Sequence, residues 1–466
     1  MKTVFRDRKD PLASILGGGG SVHVVGLGRS GMAAANLLAS MGCSVVVTDK
    51  ATPGQGAGDQ GGLHPDVRVH WGGHPEELFL NCDLIVLSPG VPGDLEPILA
   101  ASSRGVPVIG EMELAFRLTV TPWVAVTGSN GKSTTVTLID CMAKEGGVSV
   151  LTGGNLGTPV TRFVSGKPGA HFILAEVSSF QLETTETFHP SMAALLNITP
   201  DHLDRYPSEE EYIRAKARIF NQMEDGDWAV TNADDGVVGR VTRTLRPKRF
   251  PFSRLKVLGE GVCVHQGRIV IFEEGRQHPV MEAGHLAIPG SHNLENALAA
   301  VAVAWRMGVP PEAMARAMRS FRGLEHRMEL VGYFRGVPIF NDSKGTNVGA
   351  TLRSLEGMGN DVILILGGKD KGTSYQPLVR PVSRKVTHLI LLGEAADRME
   401  EAFRGATGIV RVSGLDEAVR EAVQRARPGS EILFSPACSS YDMFSSFEER
   451  GRVFKDAARK YMRLME

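Results

Sequence analysis

The chain has 466 residues, room for roughly three domains, each large enough to bury its own core. Fifty-one Lys plus Arg against 52 Asp plus Glu leave a formal charge of −1. This near balance argues against nucleic acid and anionic membranes as partners. Five scattered cysteines without metal-ligand spacing argue against a disulfide framework and for a reducing, cytoplasmic compartment. No apolar run approaches the roughly 18 to 20 residues needed to span a bilayer.

Residues 1–20 combine basic positions with Gly17 to Gly20 but lack the apolar stretch of a signal peptide, and a disordered tail is expected there. From residue 21 onward, short β-branched runs alternate with glycine-rich turns and helix-period segments, the pattern of parallel sheets with crossover helices. A first block, 21–119, holds strand-like His23 to Val25, Ser44 to Thr48, Leu84 to Leu87 and Val106 to Ile109. A second, 120–322, holds Trp123 to Val126, Val148 to Leu151, Phe172 to Val177 and Met192 to Asn197, then a helix from Glu209 to Gln222. Between about residues 250 and 288 the pattern alternates, and Gly261 to His265 and Arg268 to Phe272 flank a short turn at Gln266-Gly267, an antiparallel annex. A third, 323–466, holds Val362 to Leu366, His388 to Leu392 and Glu431 to Phe434. The expected fold is therefore α/β, with three domains in series, the first and last Rossmann-like and the middle one of phosphate-loop ATPase type.

Strand Val124 to Val126 runs into Thr127-Gly128-Ser129-Asn130-Gly131-Lys132-Ser133-Thr134 and then a helix. Backbone N–H groups of such a loop ring a triphosphate, Lys132 reaches the outer oxygens, and the Ser133 hydroxyl can meet Mg²⁺. Val126 stands where the first glycine of the usual pattern would fall, so the loop is a shortened version. A second glycine loop, Gly26-Leu27-Gly28-Arg29-Ser30-Gly31, follows the first strand, with Asp49 at the end of the next and Ser88-Pro89-Gly90 at the same rim. Alone this suits a redox dinucleotide or any other nucleotide diphosphate. Glu176 closes an apolar strand and is a Mg²⁺-ligand candidate, while Asp201, His202 and Asp204 cluster in a loop and Lys216 lies among Tyr212, Ala215, Ile219 and Phe220, an apolar helical face by their spacing. A lysine so placed usually snorkels, but one desolvated beside Mg²⁺ can form a carbamate.

Taken with Glu176 to Leu182, Asp201 to Pro207, His292 to Asn296, His326-Arg327 and Asn341 to Lys344, the phosphate loop resembles the Mur ligases of peptidoglycan synthesis. Gly-Lys-Ser-Thr, Asn341 to Asn347 and Ser435 to Phe444 are most similar to the branch that adds D-glutamate. The resemblance implies an ATP-dependent amide ligase acting on UDP-N-acetylmuramoyl-L-alanine through an acyl phosphate, most simply as a monomer. It implies catalytic roles for Lys132, His202, Lys216 and Lys344. ATP would meet Gly128 to Thr134, Asn293, Asn296, Arg327 and Asp342. The UDP substrate would meet Gly26, Gly28, Arg29, Ser30, Gly31, Asp49, Ser88 and Asn155, with D-glutamate at Thr346, Lys371, Ser440 and Phe447. Two Mg²⁺ sites would use Ser133 and Glu176, then His202 and a carbamylated Lys216. Lys50 departs from members carrying a small hydroxyl residue after this acid. Split between blocks, such a site also implies closure of the last domain. Another amino-acid ligase of this architecture, a nicotinamide oxidoreductase and a non-catalytic nucleotide-binding regulator are the competing readings.

Overall fold

The computed structural model describes residues 5–7, 10–52, 62–155, 157–164, 169–202, 205–288 and 290–464. Leu203 and Asp204 of the motif Asp201 to Pro207 lie outside the described residues.

Three sheets follow one another along the chain. The first contains β1 (Ser21–Val25), β2 (Ser44–Asp49), β3 (Arg68–Trp71), β4 (Leu84–Leu87) and β5 (Val108–Gly110), ordered β3-β2-β1-β4-β5 and parallel throughout. The second contains β6 (Trp123–Thr127), β7 (Val150–Gly154), β8 (Phe172–Glu176), β9 (Met192–Leu195), β10 (Trp228–Asn232), β11 (Lys248–Ser253), β12 (Gly261–His265), β13 (Arg268–Glu273) and β14 (Arg276–Glu282). Its order is β14-β13-β12-β11-β10-β9-β6-β8-β7. The third contains β15 (Glu329–Phe334), β16 (Val337–Asn341), β17 (Val362–Gly367), β18 (Val386–Leu392), β19 (Gly408–Arg411) and β20 (Glu431–Phe434), ordered β15-β16-β20-β17-β18-β19.

Strands such as β6, β8 and β17 are apolar along nearly their whole length because both faces of a parallel sheet are covered. Each sheet accordingly lies between two apolar clusters. In the middle unit one contains Val136, Leu298 and Met314, and the other Trp123, Ile213 and Phe220. The helix Lys132–Glu145 belongs to the first cluster, so the loop that precedes it is anchored at both ends by core packing.

The expected antiparallel annex is the β12–β13–β14 meander, and it extends the edge of the central sheet because β11 pairs parallel to both β10 and β12. Two expectations need correction. The helix expected to reach Gln222 ends as Glu209–Ala217 and continues as a tighter turn, Arg218–Phe220. Within the described residues the N-terminal segment is ordered: Leu12–Gly17 is helical, and Leu12 and Leu16, one helical turn apart, are buried in the first core. Arg6 donates to the Thr119 and Thr121 carbonyls at 2.9 and 2.7 Å and stacks on Phe116, tying this segment to the start of the middle unit.

Candidate active site

The carboxyl ends of the parallel strands gather the functional side chains, as expected where helices begin and backbone N–H groups are unpaired. In the first unit, Gly26, Gly28, Arg29, Ser30, Asp49 and Ser88 line a cavity of about 700 Å³ together with Lys50 and His74. Asp49 accepts from the Leu27 and Ala51 N–H groups at 2.7 and 2.8 Å, and Ser88 Oγ donates to the Gly26 carbonyl at 2.8 Å, so both residues shape the loop. Gly31 does not line the cavity. A Cβ there would stand 1.9 Å from the Gly26 carbonyl oxygen, and its role is to let the helix approach the loop.

In the middle unit the loop after β6 places Ser129 and Lys132 on a second cleft, about 600 Å³, that opens between the middle and last units. Lys132 Nζ donates to the Gly128 and Ser129 carbonyls at 2.8 and 3.0 Å. Lys216 Nζ donates to the same Gly128 carbonyl at 3.0 Å and lies over the Tyr212 ring. Gly131, at φ +87°, turns the chain into the helix, and a Cβ there would meet Asn296 Oδ1 at 2.1 Å. His202 and Asn155 line this cleft, and so do Thr346, Lys371, Ser440 and Phe447 of the last unit. The sequence reading grouped Asn155 with the UDP-facing residues; it lies on the central cleft and donates to Glu176 Oε1 at 2.8 Å. Glu176 is buried behind it, and its Oε2 has no hydrogen-bond partner among the described residues.

A third, much smaller space of about 30 Å³ lies between the phosphate loop and the last unit, lined by Asn130, Gly131, Asn296, Arg327, Asp342 and Lys344 with His292 and Arg353. Here Lys344 Nζ donates to Ser133 Oγ at 2.7 Å across the two units. Asn293 is buried one helical turn from Asn296; Gly128, Ser133, Thr134 and Asn293 line none of the three spaces. Asp342 is buried and accepts from Ser354 and Ser435, both at 2.7 Å.

Charge is concentrated here with little water to screen it. Burial, reinforced by Lys132, drives the Lys216 ammonium well below the usual lysine range against the pull of Asp201 and Glu176. Burial likewise lowers Lys132, brings Lys344 down to about 8 and lowers Arg327. Burial would raise Glu176, but Lys344 and Lys132 outweigh it and hold the carboxyl low. Burial takes His202 to about 4, a neutral ring at pH 7 able to ligate or accept.

Several residues that the sequence reading gave no role complete the site. Asp201 accepts from Lys371 Nζ at 3.4 Å and from Asn347 Nδ2 at 2.8 Å, joining middle and last units. Tyr212, read from its spacing as an apolar-face residue, shares a 3.0 Å hydrogen bond with Ser129 Oγ. Phe180, within Glu176 to Leu182, Tyr441, within Ser435 to Phe444, and Lys369, two residues before Lys371, also line the central cleft.

Among the described residues, no three His, Cys, Asp or Glu side chains gather as a metal-binding group. No helix among them is long and apolar enough to cross a membrane.

Family models match all three units: the Mur ligase MurD-like N-terminal domain over residues 20–110, the Mur ligase middle domain over 126–304, and the Mur ligase glutamate ligase domain over 326–438. The UDP-N-acetylmuramoylalanine–D-glutamate ligase of Pelotomaculum thermopropionicum is 45% identical over 438 residues, 93% of this chain and 96% of that protein. Its namesake in Geotalea daltonii is 43% identical, over 95% and 97%. Among solved structures, the UDP-N-acetylmuramate-alanine ligase of Thermotoga maritima superposes with a TM-score of 0.60 at 17% identity, covering 95% of this chain and all of that one, which is a likeness of fold. With its three sheets in that order and near-full-length likeness to such relatives, the chain belongs to the Mur ligase family.

Proposed function

We infer that this chain is an ATP-dependent ligase that joins D-glutamate to UDP-N-acetylmuramoyl-L-alanine through an acyl phosphate, in cytoplasmic synthesis of peptidoglycan precursors. The observation that carries this reading is the central cleft, where Lys132, His202 and Lys216 of the middle unit face Thr346, Lys371, Ser440 and Phe447 of the last. Gly90 and Tyr441 line both this cleft and the cavity of the first unit, so a substrate bound by its nucleotide there can extend its carboxylate here. We assign residues 21–119 to the UDP substrate, 120–322 to ATP and 323–466 to D-glutamate, in a monomer.

The chemical problem is that a carboxylate is a poor electrophile and must approach an anionic phosphate. Lys132 and Lys344, half-buried beside Glu176, supply positive charge where little water screens it; Lys132 is held against the loop carbonyls, and Lys344 reaches Ser133 when the last unit is closed. The carboxylate oxygen attacks the γ-phosphorus and ADP leaves. The amine of D-glutamate then adds to the acyl carbon, and the tetrahedral adduct expels phosphate. Lys371, with Thr346, Ser440 and Phe447, holds the incoming amino acid; Asn296, Arg327 and Asp342, with Asn293, meet the nucleotide. The space beside the phosphate loop is bounded by Asn130 and Gly131 of the middle unit and by Arg327, Asp342 and Lys344 of the last, so opening and closing of the last unit would admit ATP and complete its site.

The donor set fits Mg²⁺, which keeps several waters and needs few protein oxygens. Ser133 and the unpartnered Glu176 Oε2 would hold one ion, and His202 with a carbamylated Lys216 a second. Bound there, the metal would supply charge neutralisation at the phosphoryl oxygens. A lysine held far below its usual range is the neutral amine that adds to carbon dioxide, and its burial at the cleft supports that modification. The deciding experiment measures phosphate release with ATP, the UDP substrate and each candidate amino acid in turn. D-glutamate alone should give turnover; turnover with another amino acid and none with D-glutamate would overturn the assignment.

A further inference from the structure

Three polar side chains cross the otherwise apolar first unit in a line. His23 on β1 and Thr48 on β2 are both fully buried, and His23 Nε2 lies 2.9 Å from Thr48 Oγ1. The same Thr48 oxygen lies 2.9 Å from Nδ1 of His74, which follows β3 and lines the 700 Å³ cavity. Burying polar groups in a sheet is unfavourable unless they are paired, and the phosphate-facing glycine loop makes no use of this chain.

The direction of the hydrogen bonds can be worked out. A hydroxyl has a single proton to give. If Thr48 gave it to His23, the proton of that ring would sit on Nδ1, which is buried without a partner among the described residues. An orphaned buried N–H is less tolerable than an orphaned lone pair. His23 therefore donates from Nε2 to Thr48, Thr48 donates to His74 Nδ1, and a neutral His74 carries its proton on Nε2. Burial and the neighbouring His74 bring His23 to about 4, which keeps it neutral at pH 7.

The sheet order says which part of a nucleotide this donor meets. Along the carboxyl edge stand His74 after β3, Asp49 and Lys50 after β2, the glycine loop after β1 and Ser88 after β4. The glycine loop, opening the helix Arg29–Ser40, suits the diphosphate. Gly90, two residues beyond Ser88, also lines the central cleft, so the sugar and its peptide leave on that side. The base is left at the opposite end, beside His74. Asp49 already accepts two backbone N–H groups there.

We propose that His74 reads the base of the bound nucleotide through an Nε2–H donor whose tautomer is fixed by the His23–Thr48 pair. This rests on reading the cavity as the UDP-substrate site. Uracil presents carbonyl acceptors at C2 and C4, whereas cytosine carries an amine at C4, so a fixed donor favours the first and meets a second donor in the other.

The test is calorimetric titration of the full chain with UDP and with CDP. His74→Phe should weaken UDP binding about tenfold and leave CDP nearly unchanged, raising KM for the UDP substrate while kcat stays within about twofold. Thr48→Val should erode the same preference and Thr48→Ser should restore it. An unchanged UDP-to-CDP ratio in His74→Phe would overturn the proposal alone. Failure of the unmodified chain to bind UDP at all would overturn the reading of the cavity and the proposal with it.

Discussion

Both the loop at Gly26–Gly31 and the loop at Gly128–Lys132 turn a buried strand into a helix, yet their surroundings differ in kind. Around the first, Asp49 and Ser88 are engaged in holding the loop's own backbone, and the side chains facing the cavity are few and mixed in charge. Around the second, Lys132, Lys216, Lys344 and Arg327 are all driven down by burial, with Glu176 and Asp201 as the counter-charges. Holding a nucleotide diphosphate needs shape and backbone N–H groups; moving a phosphoryl group onto a carboxylate needs desolvated positive charge, which the fold maintains against its own electrostatics.

That contrast can be broken residue by residue. Lys132→Ala should lower kcat for phosphate release by about a hundred- to thousandfold while the thermal transition stays within a few degrees, measured by a coupled assay and by calorimetry. Lys371→Met should raise KM for D-glutamate by about thirtyfold, and it should also weaken closure, because Lys371 pairs with Asp201 across the cleft. Arg29→Ala should act on the other loop, raising KM for the UDP substrate by about tenfold and leaving kcat nearly unaltered.

The smallest effect concerns pH. Lys344 sits near 8 in the free chain, so it is charged below that value and loses its proton as pH rises through it. Because kcat/KM reports the free enzyme, it should fall on the alkaline side with a midpoint near 8, and Lys344→Arg should move that limb to higher pH. An alkaline limb that is the same in both proteins would assign the loss to another group.

The glycine loops, the apolar strands and the ends where acids and histidines cluster were readable because each is a local pattern. Pairings across the chain were not. Lys344 meets Ser133 from 211 residues away, and Lys371 meets Asp201 from 170. β11 escaped notice because Lys248, Arg249 and Pro251 interrupt any alternating pattern, although Phe250 and Phe252 are buried. The helix Leu12–Gly17 is only six residues long, too short for periodicity to stand out beside four glycines, and Leu12 and Leu16 gain their meaning from the core they enter. Tyr212 was placed on the apolar face by its spacing, which hides the hydroxyl contact with Ser129.

The central claim is that buried cations let a carboxylate accept phosphate before the amine arrives. Supplying the UDP substrate with both carboxylate oxygens labelled as ¹⁸O, together with ATP and D-glutamate, tests it directly by mass spectrometry of the released phosphate. An acyl phosphate requires one labelled oxygen in every phosphate formed, with the other retained in the amide. Unlabelled phosphate, formed at the same rate as the amide, would contradict the account.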